Sequence, residues 1–292
     1  MEVKKNYVET STGQIHFRYA GDSAAPNICL FHASPGSSRQ LNDLISGFAK
    51  NFFVYAPDTP GNGLSDPLPI KQPEIFDYAT AHLQAMENLG IEKTILFGTH
   101  TGASIAACLS QISKNSCSLL VLDSVGLYDL EEKNRLLDSY APKKKVSPTG
   151  DHLMWAWHFI RDQWLFWPWH EQNEKNRIAR GLPELSYLHG MYIDVLENLD
   201  TYHLSYNAAF RFDKEVCFKG VSCQTIIASN KEDMLFKYFP KLKYKITSRD
   251  KFRPRRGTLS IKKAQKFLGY NPKFSLNKGV KEYINFKKKY ES

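Results

Sequence analysis

The chain has 292 residues, of which 42% are hydrophobic, 24% are charged and 13% are aromatic. A chain of this length and composition can bury a large core, which argues against an intrinsically disordered protein. It contains no apolar run of about 18 residues and no apolar segment after its N-terminal lysines. We therefore expect a cytoplasmic protein without a membrane span.

The positive charge of the chain is concentrated near its C-terminal end. The formal net charge is +9, yet the segment Phe239–Ser292 alone has 17 Lys and Arg against 3 Asp and Glu. A basic segment can bind polyanions, but no zinc-finger or aromatic-interleaved pattern accompanies this one. We expect a solvated basic surface and no specific nucleic-acid partner.

The cysteines are odd in number and include no C-x-x-C pair, which argues against a disulfide framework and against a zinc ribbon. We predict buried free thiols, no metal site and no cofactor. The five cysteines are Cys29, Cys108, Cys117, Cys217 and Cys223.

Predicted strands and helices alternate through the first part of the chain. Short apolar runs indicate buried strands, and apolar residues three or four apart indicate helices. A β-hairpin is predicted over residues 7–20, strands over 27–31, 52–56, 94–97 and 119–123, and helices over 40–50, over 76–89 and from about residue 103. This alternation predicts an α/β fold with a mostly parallel sheet and functional residues at the carboxyl ends of its strands.

The strand pattern stops near Gly126 and resumes with the apolar run 224–228. The residues between are helical in pattern and rich in aromatic side chains, so they are predicted to form a helical insertion into the sheet. All five tryptophans fall in this insertion: Trp155, Trp157, Trp164, Trp167 and Trp169.

A sharp turn is predicted at G-T-H-T-G, residues 98–102, between a strand and a helix of small residues. In a nucleophile elbow the flanking positions must be small, which leaves the central side chain exposed above the sheet. Gly98 and Gly102 occupy those flanking positions, and His100 occupies the centre.

The order of three loops strengthens this interpretation. H-x-x-P-G from His32 follows one strand, D-x-P-G-x-G-x-S-D from Asp58 follows the next, and the turn from Gly98 follows the third. Residues 7–236 together resemble the α/β-hydrolase family, and the helical insertion resembles its cap. The resemblance implies four domain segments: residues 1–125 and 216–238 as the core, 126–215 as the cap, and 239–292 as a separate tail.

The resemblance also implies roles for individual residues. Backbone N–H groups of Thr101 and of Ala33 or Ser34 would form an oxyanion hole. The acid would be Asp233, with Asp123 as the alternative. Cap residues that would face the pocket are Trp155, Trp157, His158, Trp164 and Trp167.

Two departures from the family pattern affect catalysis. The nucleophile position holds His100 instead of Ser, Cys or Asp, and all nine histidines precede Asp233, whereas the family's catalytic histidine follows the acid. A neutral imidazole at a helix N-terminus could act as a general base or as a nucleophile. The position could equally be retained by the fold alone.

The tail has a resemblance of its own. R-P-R-R-G from Arg253, a segment that ends in L-G-Y-N-P at Pro272, and a final helical pattern resemble the C-terminus of sugar-nucleotide epimerases and dehydratases. The chain nonetheless lacks the G-x-G-x-x-G turn that a dinucleotide enzyme needs.

Three functions therefore stay open at the level of sequence. The first is a hydrolase that cleaves a small, partly apolar ester, amide or carbon–carbon bond. The second is a catalytically inactive fold that binds a small ligand or a protein partner. The third, suggested by the tail alone, is a fragment of a sugar-nucleotide enzyme.

Overall fold

The computed structural model describes residues 1–114, 116–178 and 181–228. Asp233 and the basic tail lie outside these residues. Within the described part of the chain, no helix is both long enough and apolar enough to cross a membrane.

In the described residues, seven strands form a mixed sheet in the order β1-β2-β4-β3-β5-β6-β7. Strands β1 and β2 form an antiparallel hairpin, and β2 also pairs antiparallel with β4. The remaining neighbouring strands are parallel. The strands are β1 Lys4–Thr10, β2 Gly13–Ala20, β3 Asn27–Phe31, β4 Phe53–Pro57, β5 Thr94–Thr99, β6 Cys117–Asp123 and β7 Thr225–Ala228. The predicted α/β fold with a mostly parallel sheet is confirmed.

Central strands bury both faces, as their uninterrupted apolar runs predict. Along β3, Cys29 and Phe31 pack into the core on one face of the sheet, whereas Ile28 and Leu30 pack into the core on the other. Helices α2 and α3 contribute to the first core and α1 to the second. The three helices are α1 Asn42–Phe48, α2 Ile75–Asn88 and α3 Thr101–Ile112.

The helix predicted over residues 40–50 is shorter than expected. A 3-10 helix over Ser38–Leu41 precedes α1, and the Ser37 hydroxyl caps it by accepting a hydrogen bond from the N–H of Arg39. Ser and Asp side chains that bond nearby backbone groups favour such local turns over a continuous α-helix. The α-helix therefore starts only at Asn42 and ends at Phe48.

Between β6 and β7, in the place of the predicted insertion, the described residues form five helices. They are α4 Leu130–Ser139, α5 Asp151–Asp162, α6 Leu185–Glu197, α7 Tyr202–Arg211 and α8 Lys214–Gly220. This helical segment has a hydrophobic core of its own, which includes Phe159, Leu188 and Tyr202. Because β6 and β7 are neighbours in the sheet, the segment leaves and returns at adjacent strands.

Candidate active site

The turn between β5 and α3 holds His100 in a rare backbone conformation, with φ 51° and ψ −111°. Residues other than glycine seldom adopt a positive φ, and such conformations cost about 1–3 kcal/mol. Two backbone hydrogen bonds hold this one: the N–H of His100 donates to Asp123 O at 3.0 Å, and the N–H of Ala103 donates to His100 O at 3.1 Å. The imidazole itself is exposed.

The flanking glycines are required by close packing of the backbone. A Cβ atom at Gly98 would collide with the carbonyl of Gly102, and a Cβ at Gly102 would collide with the carbonyl of Phe31. The start of α3 therefore lies directly against the ends of β3 and β5. No larger residue fits at either position without moving the strand or the helix.

Asp123 ends β6 beside the turn, where the strand register pairs it with Thr99. Its carboxylate accepts hydrogen bonds from the hydroxyl of Thr99 at 3.2 Å and from that of Ser124 at 3.1 Å. The side chain is half-buried. The alternative acid thus lies one strand away from His100, whereas the first choice, Asp233, lies outside the described residues.

The loop after β3 is shaped by His32, which is fully buried. Its Nδ1–H donates to Ala33 O at 2.9 Å, and its Nε2 accepts from the N–H of Thr59 at 2.8 Å. Burial lowers the pKa of His32, so the ring is neutral and its tautomer is fixed by these two bonds. The imidazole therefore holds the loop in place as a structural element.

The predicted oxyanion donors meet at the same edge of the sheet, because Phe31 and Gly98 are partners in the β3–β5 ladder. Among the described residues, no group accepts a hydrogen bond from the N–H of Ala33, Ser34 or Thr101.

Comparison with known proteins agrees with this geometry. Residues 26–148 match the family model described as alpha/beta hydrolase fold, which covers less than half of the chain but includes all three loops. Epoxide Hydrolase A from Mycobacterium thermoresistibile superposes with a TM-score of 0.59 at 14% identity, over 77% of this chain and 82% of that chain. The chain has the α/β-hydrolase fold.

Other proteins with detectable similarity are also hydrolases by name. The enol-lactonase from Burkholderia xenovorans LB400 shares the fold with a TM-score of 0.55 at 15% identity, over 76% of this chain and 80% of that one. An uncharacterized carboxylesterase of Bacillus subtilis is 32% identical over 100 residues, and an uncharacterized hydrolase of Saccharomyces cerevisiae is 30% identical over 89 residues.

These two curated relatives are matched over only part of their length. The alignment covers 34% of this chain and 33% of the carboxylesterase, and 29% of this chain and 29% of the yeast hydrolase. The chain therefore spans about a third of each of them.

Within this α/β-hydrolase fold, Asp58 organises the loop after β4, a role that the sequence did not reveal. Its carboxylate accepts hydrogen bonds from His16 Nδ1 at 2.8 Å, from the N–H of Ser38 at 2.7 Å and from the N–H of Leu64 at 2.9 Å. Burial by itself raises the pKa of Asp58. The hydrogen bond from His16, the nearby His32 and the hydrogen bond from Ser38 together lower the pKa by more than burial raises it, so that it is about 2. The sequence shows the D-x-P-G motif that begins at Asp58, but it does not show which distant residues bond to this carboxylate.

A second buried network joins the core of the α/β-hydrolase fold to the helical segment. The hydroxyl of Ser34 lies 2.8 Å from that of Ser205 on α7, and Asn62 Nδ2 donates to Ser205 Oγ at 3.1 Å. All three side chains are buried. The Ser34 hydroxyl is thus paired with a side chain of α7.

The tryptophans lie mainly in the core of the helical segment. Trp155, Trp157 and Trp164 pack against that core, while Trp167 is 38% exposed and stacks on Tyr128 with 6.2 Å between ring centroids. His158 is on the exposed face of α5, 4.0 Å from Asp162. Two cavities described in the structure, of about 390 and 220 Å³, are lined by other residues.

Proposed function

We propose that this chain is a member of the α/β-hydrolase family that cleaves a small, partly apolar ester, amide or carbon–carbon bond, with His100 at the nucleophile elbow. The observation that supports this most directly is the strained backbone of His100. The fold maintains a costly conformation at the one position where this architecture presents a reactive side chain. A decayed site would gain stability from a glycine there.

The proposed chemistry begins with attack on a carbonyl carbon. The neutral imidazole of His100 attacks directly to form an acyl-imidazole, or removes a proton from an attacking water. Negative charge then develops on the carbonyl oxygen, where the N–H groups of Thr101 and of Ala33 or Ser34 stabilise it. Collapse of the tetrahedral intermediate breaks the scissile bond, and the leaving group departs with a proton taken from the imidazole or from water. Water then hydrolyses the acyl-imidazole to the carboxylic acid, which restores the free imidazole.

A carboxylate would complete this arrangement by orienting the imidazole. The sequence predicts Asp233 for that role, and Asp123, at the end of β6 beside the turn, is the alternative. The helical segment is proposed to act as the cap, with Trp155, Trp157, His158, Trp164 and Trp167 as candidates for an aromatic roof over an apolar substrate.

The first test is an activity screen with short-chain p-nitrophenyl esters and thioesters. The native protein should hydrolyse at least one substrate with saturation, and His100→Ala should lose about 100-fold or more in kcat/KM. Any exposed imidazole accelerates the hydrolysis of activated esters, so His189→Ala, which removes another exposed histidine, serves as the matched control. Equal rates for His100→Ala and the native protein would refute catalysis by His100.

The acyl-enzyme step has an independent readout. Hydroxylamine added during turnover captures an acyl-imidazole as a hydroxamate, and mass spectrometry of the quenched protein should locate the acyl group on the peptide that contains His100. An acyl group on Ser34 or on another residue would assign the nucleophile elsewhere.

A non-catalytic role is the second candidate, and one observation favours it. All nine histidines of this sequence precede residue 204, so none of them follows Asp233 in the chain order of the family. Under this proposal the chain binds a ligand at the same edge and shows no activity in either protein of the screen. The sugar-nucleotide alternative rests on the tail alone, and binding of NAD in a titration would support it.

A further inference from the structure

Two cysteines that are distant in sequence lie side by side in the sheet. Cys117 begins β6, Cys223 lies two residues before β7, and their sulfur atoms are 3.2 Å apart. Adjacent strands lie about 4.8 Å apart, which is within the usual range of Cα separations across a disulfide. A shift of about 1 Å in the side chains would bring the sulfurs to bonding distance.

The two thiols differ in accessibility. Cys117 is buried, and burial together with the Cys223 thiol raises its pKa to about 12. Cys223 is half-buried and is the member of the pair that solvent can reach. The other three cysteines are buried and lie elsewhere in the fold.

Strand β7, which a bond between Cys117 and Cys223 would link to β6, buries little of its own surface in the fold. Its pairing in the described sheet runs from Leu120↔Thr225 to Asp123↔Ala228 along β6, and three of its four residues are exposed. Ile226, for example, is 49% exposed. A strand with so little buried apolar surface opens more easily than the centre of the sheet.

We propose that Cys117 and Cys223 form a reversible disulfide that fastens β7 to β6 when low-molecular-weight disulfides are in excess over thiols. Cys223 thiolate attacks one sulfur of the small disulfide and releases a thiolate, which leaves a mixed disulfide on Cys223. Cys117 then gives up its proton, attacks the Cys223 sulfur and expels the second small thiolate. The two cysteines are together oxidised by two electrons, and these two electrons reduce the small disulfide to two thiols.

The consequence follows from the length of chain that the bond encloses. The loop from Cys117 to Cys223 includes the whole helical segment, and closing such a long loop restricts the unfolded state strongly. Oxidation should raise the melting temperature by about 10 °C, and dithiothreitol should reverse the shift.

The test uses the full-length protein equilibrated with oxidised glutathione at about pH 8, alkylated and digested with trypsin without reduction. The expected product is a cross-link between the peptides of residues 115–133 and 220–231, together with a loss of two free thiols. Cys223→Ser should lose both the cross-link and the thermal shift, whereas Cys108→Ala, which removes a buried thiol outside the pair, should keep both.

Two results would overturn the proposal. One is glutathione that remains on Cys223 without a cross-link at any ratio of disulfide to thiol. The other is a cross-link that joins different cysteines. The peptide analysis needs only the native protein, so it decides the question even if a variant fails to fold.

Discussion

His100 is the residue at which the backbone structure and the proposed chemistry are most closely linked. Its φ of 51° is unfavourable for any residue with a Cβ atom, and the two flanking glycines leave the chain no room to relax. Selection for stability alone would place glycine at this position. A histidine at this strained position is therefore the feature that most favours a function for its side chain.

This strain is measurable by comparing two variants that both lack the imidazole. His100→Gly should be more stable to urea than His100→Ala by about 1 kcal/mol, because only alanine keeps the Cβ atom in the left-handed region. Both variants lose every contact of the imidazole ring, so the difference between their free energies of unfolding reports the backbone strain alone. Equal midpoints of urea unfolding would show that the turn relaxes and stores no strain.

At the scale of elements, strands and turns that depend on short patterns of neighbouring residues could be predicted from the sequence. The strands over residues 27–31 and 225–228 were recognisable as apolar runs, and the turn at residues 98–102 was recognisable by its glycines. What could not be predicted depends on distant partners: Ser34 meets Ser205 across 171 positions of sequence, and Asp58 meets His16 across 42. No periodicity or motif encodes such pairs, because each is created by the fold.

The contact between α6 and the 3-10 helix contains another such pair and yields a prediction. Asp194 on α6 is buried, accepts a hydrogen bond from the Ser37 hydroxyl at 2.9 Å and lies 3.6 Å from Arg39 Nη2. Its other oxygen, Oδ1, makes no hydrogen bond with the described residues. Burial raises the pKa of Asp194 from 3.8 to about 6, so the buried carboxylate that forms at neutral pH lowers the stability of the fold.

Since the folded-state pKa is raised, this group favours folding below about pH 4, and the benefit is lost as the pH rises through 6. Asp194→Asn cannot ionise, so its stability relative to the native protein should improve by about 2–3 kcal/mol between pH 4 and pH 8. Urea unfolding at the two pH values measures this change. Asp138→Asn, at an exposed position on α4, is the control and should show little change; a flat response of Asp194→Asn would contradict the assignment.

For the whole molecule, stability in acid should depend on a histidine with no part in the proposed chemistry. His82 on α2 is fully buried beside Phe31, and no described residue bonds to either ring nitrogen. Burial, helped by the nearby His32, lowers the pKa of His82 from 6.5 to about 3. The unfolded chain therefore binds a proton between these values that the folded chain does not, and stability falls as the pH drops below 6.5.

Replacing this histidine with methionine should remove that sensitivity. His82→Met places an apolar side chain of similar size in the core and removes two unsatisfied nitrogens, so at pH 7 it should be at least as stable as the native protein. At pH 4 its advantage in unfolding free energy should reach about 3 kcal/mol, because only the native protein is destabilised by keeping the proton off residue 82.

Asp58 acts at lower pH: its folded-state pKa of about 2 means that its contribution to stability is lost only below about pH 4. Acid titrations of His82→Met, native protein and the exposed-site variant His189→Met would therefore separate the two groups, and a native-like acid midpoint for His82→Met would show that His82 gains a proton without unfolding the core.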